Sequence, residues 1–150
     1  MKKTITAVIA TCAVALAPAV ADAAKTKFSG AIQPSGTLSF TVKDKKSTGD
    51  LTVVKLAWKD LPVTCKGEAQ TTDGGLSFTV PVKGSGFKAR ALLGDTKNPD
   101  ARAVIIGKFK GEVVSGTIDV SGTKLPTNDG NEANCASGKL DWKAASNSGP

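Results

Sequence analysis

The chain has 150 residues, a formal net charge of +7, and neither histidine nor tyrosine. Its length corresponds to one domain rather than several. The lack of histidine removes the commonest general base and the commonest zinc ligand, so we expect no catalytic residues, no metal and no cofactor.

The first 23 residues have the parts of a secretory signal peptide. Lys2 and Lys3 precede the apolar stretch Ile5–Ala17, which is shorter than the roughly 20 residues that a membrane span needs. We expect cleavage after Ala23, with Ala21 as the alternative. The mature chain is then expected to be secreted or extracytoplasmic, in the cell envelope, and to contain no transmembrane span.

Residues 24–143 are expected to form a single β domain, followed by a flexible tail at residues 144–150. Apolar and polar residues alternate along most of the domain, which is typical of strands with one buried face. The clearest alternating runs are Thr37–Val42, Val54–Trp58, Leu76–Val82, Ile118–Val120 and Leu140–Trp142. They predict an all-β fold of about eight or nine antiparallel strands, a meander forming a sandwich or a small barrel.

Turn-forming residues separate these strands. Pro34–Gly36, Lys97–Asp100 and Gly111–Glu112 are predicted turns, and Thr72–Gly75 is predicted to be a tight hairpin. The longest irregular stretch is Ser121–Asn134, which is rich in Asn, Asp and Gly.

Two cysteines remain after cleavage, and an even number in an exported chain favours a disulfide between Cys65 and Cys135. The alternative is two free thiols, although the chain has no CxxC motif. Trp58 lies seven residues before Cys65, and Trp142 seven after Cys135. If the cysteines face each other on paired antiparallel strands, the tryptophans face each other too. Because an odd spacing would place Trp and Cys on opposite faces of a strand, a bulge is expected between them, and Pro62 is its predicted site. Two independent core tryptophans and a loop-to-loop bridge are the other interpretation.

Three features leave room for other functions. Asp119 and Asp141 could act as the two carboxylates of a secreted hydrolase, although both are predicted to be solvated acids on strand faces. The oxygen-rich segment Asn128–Asn134 could wrap calcium, but it does not match the EF-hand spacing, and a polar surface loop is the simpler interpretation. The longer stretch Ser121–Asn134 could be the exposed loop of an inhibitor of an extracellular enzyme.

Basic residues alternate with apolar or small residues in the later strands, so they should project from outer faces: Lys88, Arg90, Arg102, Lys108, Lys110, Lys139 and Lys143. If those strands are neighbours, the residues form one basic face that attracts an anionic cell-wall polymer. The plainer interpretation is solubility and protection of sheet edges by lysine. Nucleic acid is not an expected partner, because the chain is exported and lacks an aromatic cluster for base stacking.

Six short motifs are spread along residues 24–150: Cys65–Gly67, Phe78, Gly86–Phe87, Ile106–Phe109, Val114–Ile118 and Cys135–Trp142. Together with the signal peptide, they resemble a broad group of small secreted actinobacterial-type β-rich proteins of uncharacterised function. The resemblance implies a fold and an extracytoplasmic location, and it assigns no functional residue. The sequence therefore favours a secreted, non-catalytic β module that binds an anionic surface polymer, a small ligand or an extracellular protein.

Overall fold

A computed structural model describes residues 24–45, 47–94, 97 and 99–147, so the predicted signal peptide lies outside the described residues. Within these ranges the chain forms strands and no helix, which confirms the all-β class. The described part therefore holds no helix of the length and apolarity that crossing a membrane requires. The strands are β1 (Ala24–Ile32), β2 (Thr37–Lys45), β3 (Asp50–Cys65), β4 (Glu68–Leu76), β5 (Val80–Pro81), β6 (Gly86–Gly94), β7 (Pro99–Lys110), β8 (Val113–Gly122), β9 (Leu125–Thr127), β10 (Gly130–Glu132) and β11 (Cys135–Ser146).

Nine of these strands form one antiparallel sheet in the order β4-β3-β2-β1-β11-β8-β7-β6, with the short β5 paired to β3. Consecutive strands are neighbours from β1 to β4 and again from β6 to β8, as in a meander. The last long strand, β11, lies between β1 and β8 and joins the two series. The remaining strands, β9 and β10, pair with each other as a separate hairpin.

The disulfide closes part of this sheet into a ring. Cys135 of β11 pairs with Cys65 of β3 as well as with Gly122 of β8, and the two sulfur atoms are 2.02 Å apart. Strands β1, β2, β3 and β11 thereby form a small closed barrel. The pairing of β11 with β8 shifts register between Ala136 and Lys139, where a bulge bends the strand. Both the predicted disulfide and the predicted barrel alternative are confirmed.

Five aromatic rings form the centre of the hydrophobic core. Phe40 stacks on Phe28 with the ring centres 5.1 Å apart, and it meets the rings of Phe87 and Trp142 at 5.7 and 5.9 Å. Phe109 completes the group at 5.9 Å from Phe28. These side chains come from β1, β2, β6, β7 and β11, so this cluster ties together strands that are far apart in the sequence.

Three large rings lie directly opposite a glycine on the neighbouring strand: Trp58 opposite Gly74, Phe87 opposite Gly107, and Trp142 opposite Gly116. A Cβ atom added to Gly74 or Gly107 would overlap the ring it faces. At Gly116 the Cβ would overlap the carbonyl oxygen of Ile106 on β7. These glycines are needed because the facing ring or backbone occupies the space of a side chain.

The hairpin predicted at Thr72–Gly75 is wrong, because these residues lie inside β4. The connection from β3 to β4 is the two-residue turn Lys66–Gly67, whose φ angles of 50° and 86° are both in the left-handed region. The Asp-Gly-Gly sequence resembles a turn, but Gly74 is a strand residue that makes room for the Trp58 ring.

The two tryptophans do not face each other. Strands β3 and β11 pair at only two positions, Cys65 with Cys135 and Thr64 with Ala136, and beyond these β1 and β2 lie between them. Trp58 and Trp142 are separate core residues, 8% and 2% exposed, as in the alternative interpretation, although the bridge joins strands rather than loops. The bulge that brings Trp58 and Cys65 to the same face lies before Leu61 and not at Pro62; the residue that precedes Leu61 has a φ of 52°.

The final strand is longer than the sequence pattern predicted. β11 continues to Ser146, and Ala144 is only 1% exposed. Residues 144–146 therefore belong to the sheet rather than to a flexible tail, and residues 148–150 lie outside the described residues.

Candidate binding face and cavity

All seven predicted basic residues are exposed, and all seven lie on the outer side of one run of neighbouring strands. Alternation directs Ala89, Ala103 and Ile105 of β6 and β7 into the core, so the residues between them point outward. We call this set the basic face, formed by Lys88, Arg90, Arg102, Lys108, Lys110, Lys139 and Lys143.

The strand register gives the arrangement of this face. Lys108 of β7 is opposite Ser115 of β8, which is opposite Lys143 of β11. Two residues further along, Lys88 of β6 is opposite Ile106 of β7. Neighbouring strands are about 4.8 Å apart, so the face measures roughly 14 Å across the strands from β6 to β11. Along one strand, alternate residues on the same side are about 7 Å apart. This is a continuous surface on which an extended chain could lie.

The basic face also includes three carboxylates, Asp100, Asp119 and Asp141, which point to the same side as their basic neighbours. Seven basic and three acidic strand residues leave a net charge of +4 on the face. Residues 24–150 together carry +6, so most of the excess positive charge lies here.

The two acids considered for hydrolysis are part of this open surface. Asp119 is half-buried and lies opposite Lys139, while Asp141 is exposed and lies opposite Thr117. They belong to adjacent strands on an outer sheet face. No described contact distinguishes one carboxylate as a general acid and the other as a general base.

The stretch Ser121–Asn134, considered as the exposed loop of an inhibitor, is structured over much of its length. It ends β8, forms the β9–β10 hairpin, and buries Leu125 in the core. The side-chain oxygen of Asn128 accepts the backbone N–H of Thr71 at 2.8 Å, and the Asp129 carboxylate accepts the Gln70 amide at 2.8 Å. These oxygens, which could have served a calcium ion, hold the hairpin against β4.

A cavity of about 400 Å³ lies between the β3–β4 layer and the β6–β7 layer. We call it the Trp58 cavity. Its inner wall is mainly apolar and includes Trp58, Leu76, Ala103, Val120 and Leu125.

Small side chains explain why this part of the core is not filled. Ala91 of β6 is directly opposite Ala103 of β7, and the next inward position on β7 is Ala101. Gly74 of β4 contributes no side chain on the opposite wall. Elsewhere in the core, β6 and β7 pack against β1, β2 and β11 through the five-ring aromatic cluster.

Both apolar and charged residues surround the mouth of the cavity. Phe78 and Leu92 line it and are 44% and 47% exposed, two of the three large hydrophobic residues that the described surface leaves open. Arg102 of the basic face and Asp73 line it as well. The Asp73 carboxylate already accepts the backbone N–H of Asp60 at 2.7 Å.

Trp58 brings an unused hydrogen-bond donor to the cavity wall. Its indole Nε1 is buried and has no hydrogen-bond partner among the described residues, which is also true of the Nε1 of Trp142 in the aromatic cluster. A buried donor without a partner is uncommon in proteins, and it costs free energy that a ligand or water acceptor would recover. The cavity was not predicted from the sequence, where its one trace is the alanines at the inward positions 91, 101 and 103, which form a gap only through the pairing of β6 with β7.

Comparison with known proteins identifies no relative: no family model, no curated protein and no solved structure matches the chain. Among the described residues, no group of three or more Cys, Asp or Glu side chains could hold a metal ion. The candidate functional surfaces are thus the basic face and the Trp58 cavity.

Proposed function

We propose that this protein is an extracytoplasmic, non-catalytic binding module that holds an anionic polymer of the cell envelope on its basic face. The observation that carries this proposal is the net +4 on one outer sheet surface, out of +6 for residues 24–150. The basic side chains lie on β6, β7 and β11, three of the four neighbouring strands of this surface, which suits a ligand with several negative groups along its length. The disulfide is compatible with an oxidising compartment.

The proposal differs from simple edge protection in where the charges lie. Lysines that protect an edge are needed only on the outermost strands, which here are β4 and β6. The basic face also includes Lys108 on β7 and Lys143 on β11, both inside the sheet. These interior strands already have neighbours on both sides, so edge protection does not explain their charges.

Binding is tested with inorganic polyphosphate as the soluble polyanion and with isolated anionic cell wall in a sedimentation assay. We expect the Kd for polyphosphate to rise by at least about tenfold between 50 and 200 mM salt, because affinity depends on counterion release. The triple variant Lys88→Gln, Lys108→Gln, Lys143→Gln should bind at least about tenfold more weakly at 50 mM salt and show a shallower salt dependence.

The matched control removes the same charge elsewhere. Lys43, Lys45 and Lys59 lie on β2 and β3, which the sheet order separates from β7 by β1, β11 and β8. Their triple replacement by Gln should leave the Kd within about threefold of the wild type, since exposed charges at this separation are largely screened. Equal losses in both triple variants would show attraction to net charge alone and would contradict a specific face.

A further inference from the structure

We propose that the Trp58 cavity binds a single acyl chain that ends in a carboxylate. The cavity shares only Arg102 with the basic face, and this proposal does not depend on polymer binding. The cavity volume of about 400 Å³ lies within the usual range for small-molecule sites, roughly 300–1,000 Å³. Its inner wall consists of inward-facing apolar residues, which favour an apolar ligand.

The shape of the walls favours a flexible chain. Ala91, Ala101 and Ala103 leave a gap along β6 and β7, and Gly74 of β4 adds no side chain on the facing wall. Phe78 and Leu92 extend the apolar surface out to the mouth, where they are almost half exposed. An acyl chain would cover both the inner gap and these two exposed side chains.

The polar groups around the cavity favour a negatively charged end on that chain. Arg102 is among the residues that line the cavity, and its side chain, on the outer side of β7 with the basic face, raises the positive potential around the mouth. The buried Nε1 of Trp58 is a second donor, and it has no acceptor among the described residues. The one carboxylate that lines the cavity, Asp73, is already hydrogen-bonded to the backbone of Asp60.

A peptide strand fits this place less well than an acyl chain. Addition of a strand needs an open sheet edge with free backbone groups. The edge of β4 is partly covered, because Asn128 bonds to both the N–H and the carbonyl of Thr71, and Thr72 bonds to Pro126.

The test uses the two tryptophans as reporters and 9,10-dibromostearate as the probe, since bromine quenches indole fluorescence on contact. Trp58 lines the cavity, whereas Trp142 lies in the five-ring aromatic cluster. We expect the probe to quench the Trp58 share of the emission in the wild type. It should quench almost all of the emission of the Trp142→Phe variant, in which Trp58 is the remaining tryptophan. It should leave the emission of the Trp58→Phe variant unchanged.

The second arm of the test fills the cavity with a larger side chain. Ala103→Leu should weaken binding of the probe by at least about tenfold, because the added side chain occupies the space of the acyl chain. Ala145→Leu, an exposed position on β11, is the control and should bind like the wild type. Thermal unfolding checks that Ala103→Leu is folded, and Ala91→Leu replaces it if it is not.

The Arg102→Gln variant tests whether the positive charge of Arg102 favours a ligand that ends in a carboxylate. This variant should lose the preference for stearate over stearyl alcohol while still binding the alcohol. The proposal is overturned if dibromostearate does not quench the wild type, quenches Trp58→Phe equally well, or binds Ala103→Leu unchanged. It is also overturned if a peptide and not the acyl chain competes for the site. The triple variant at Lys88, Lys108 and Lys143 leaves the cavity intact and should bind stearate normally, so the two proposals fail separately.

Discussion

Replacing Cys65 and Cys135 by serine should lower the free energy of unfolding by about 4 kcal/mol. The disulfide joins residues 70 positions apart, and in the chain-entropy model a crosslink of this span restricts the unfolded state by about that amount. The native barrel also depends on it, because β3 and β11 pair at only two positions. The loss is measured by urea unfolding of the double variant beside the wild type.

Reduction of the wild type supplies the matched control. Dithiothreitol should lower the urea midpoint of the wild type to that of the double variant and leave the variant itself unchanged. Amide exchange should quicken more at Thr64 and Ala136, which flank the bridge, than at Ile105 in the middle of β7. A loss below about 1 kcal/mol would show that the remaining strand pairs close the barrel without the crosslink.

The fold class and the disulfide could be predicted because both rest on simple local signals. Alternation with a period of two places Ile105, Ile118 and Val120 in the core without any knowledge of strand order. The cysteine pair follows from an even number of thiols in a chain with a signal-like N-terminus. The same alternation assigned the basic residues to the outer side of their strands.

Strand order and bulges could not be read from the pattern. A bulge inserts one residue and reverses which side the following residues face, and β3 contains two bulges and β11 one. This is why an odd spacing of seven still places Trp58 and Cys65 on the same face. The insertion of β11 between β1 and β8 is a long-range choice, and no local signal indicates it.

The Trp58 cavity could not be predicted because it depends on which strands face each other. Ala91 and Ala103 are unremarkable as single residues, and they leave a gap only because they are paired on β6 and β7. Gly74 was misread as a turn residue, since an Asp-Gly-Gly sequence is a strong hairpin signal. Its actual role, to admit the Trp58 ring, follows from the cross-strand register.

Ile105→Ala should lower the free energy of unfolding by about 2–5 kcal/mol, whereas Ile106→Ala should change it by no more than about 0.5 kcal/mol. Ile105 is fully buried opposite Ile118 of β8, so truncation removes apolar contacts and leaves a void. Ile106 is the next residue of the same strand, but it is 41% exposed on the basic face. The two variants have the same change of side chain and the same strand propensity, so only the direction of the side chain differs.

This pair of variants also tests the basis of the proposed function. If β7 were shifted by one residue, every side chain on it would change faces, and Arg102, Lys108 and Lys110 would point inward. Ile106→Ala would then be the damaging variant, and the basic face would not exist. Equal losses from both variants would mean that both sides of β7 are buried, which also removes the face from solvent. A large loss at position 105 with almost none at 106 requires the basic side chains of β7 to point outward, where a polyanion can reach them.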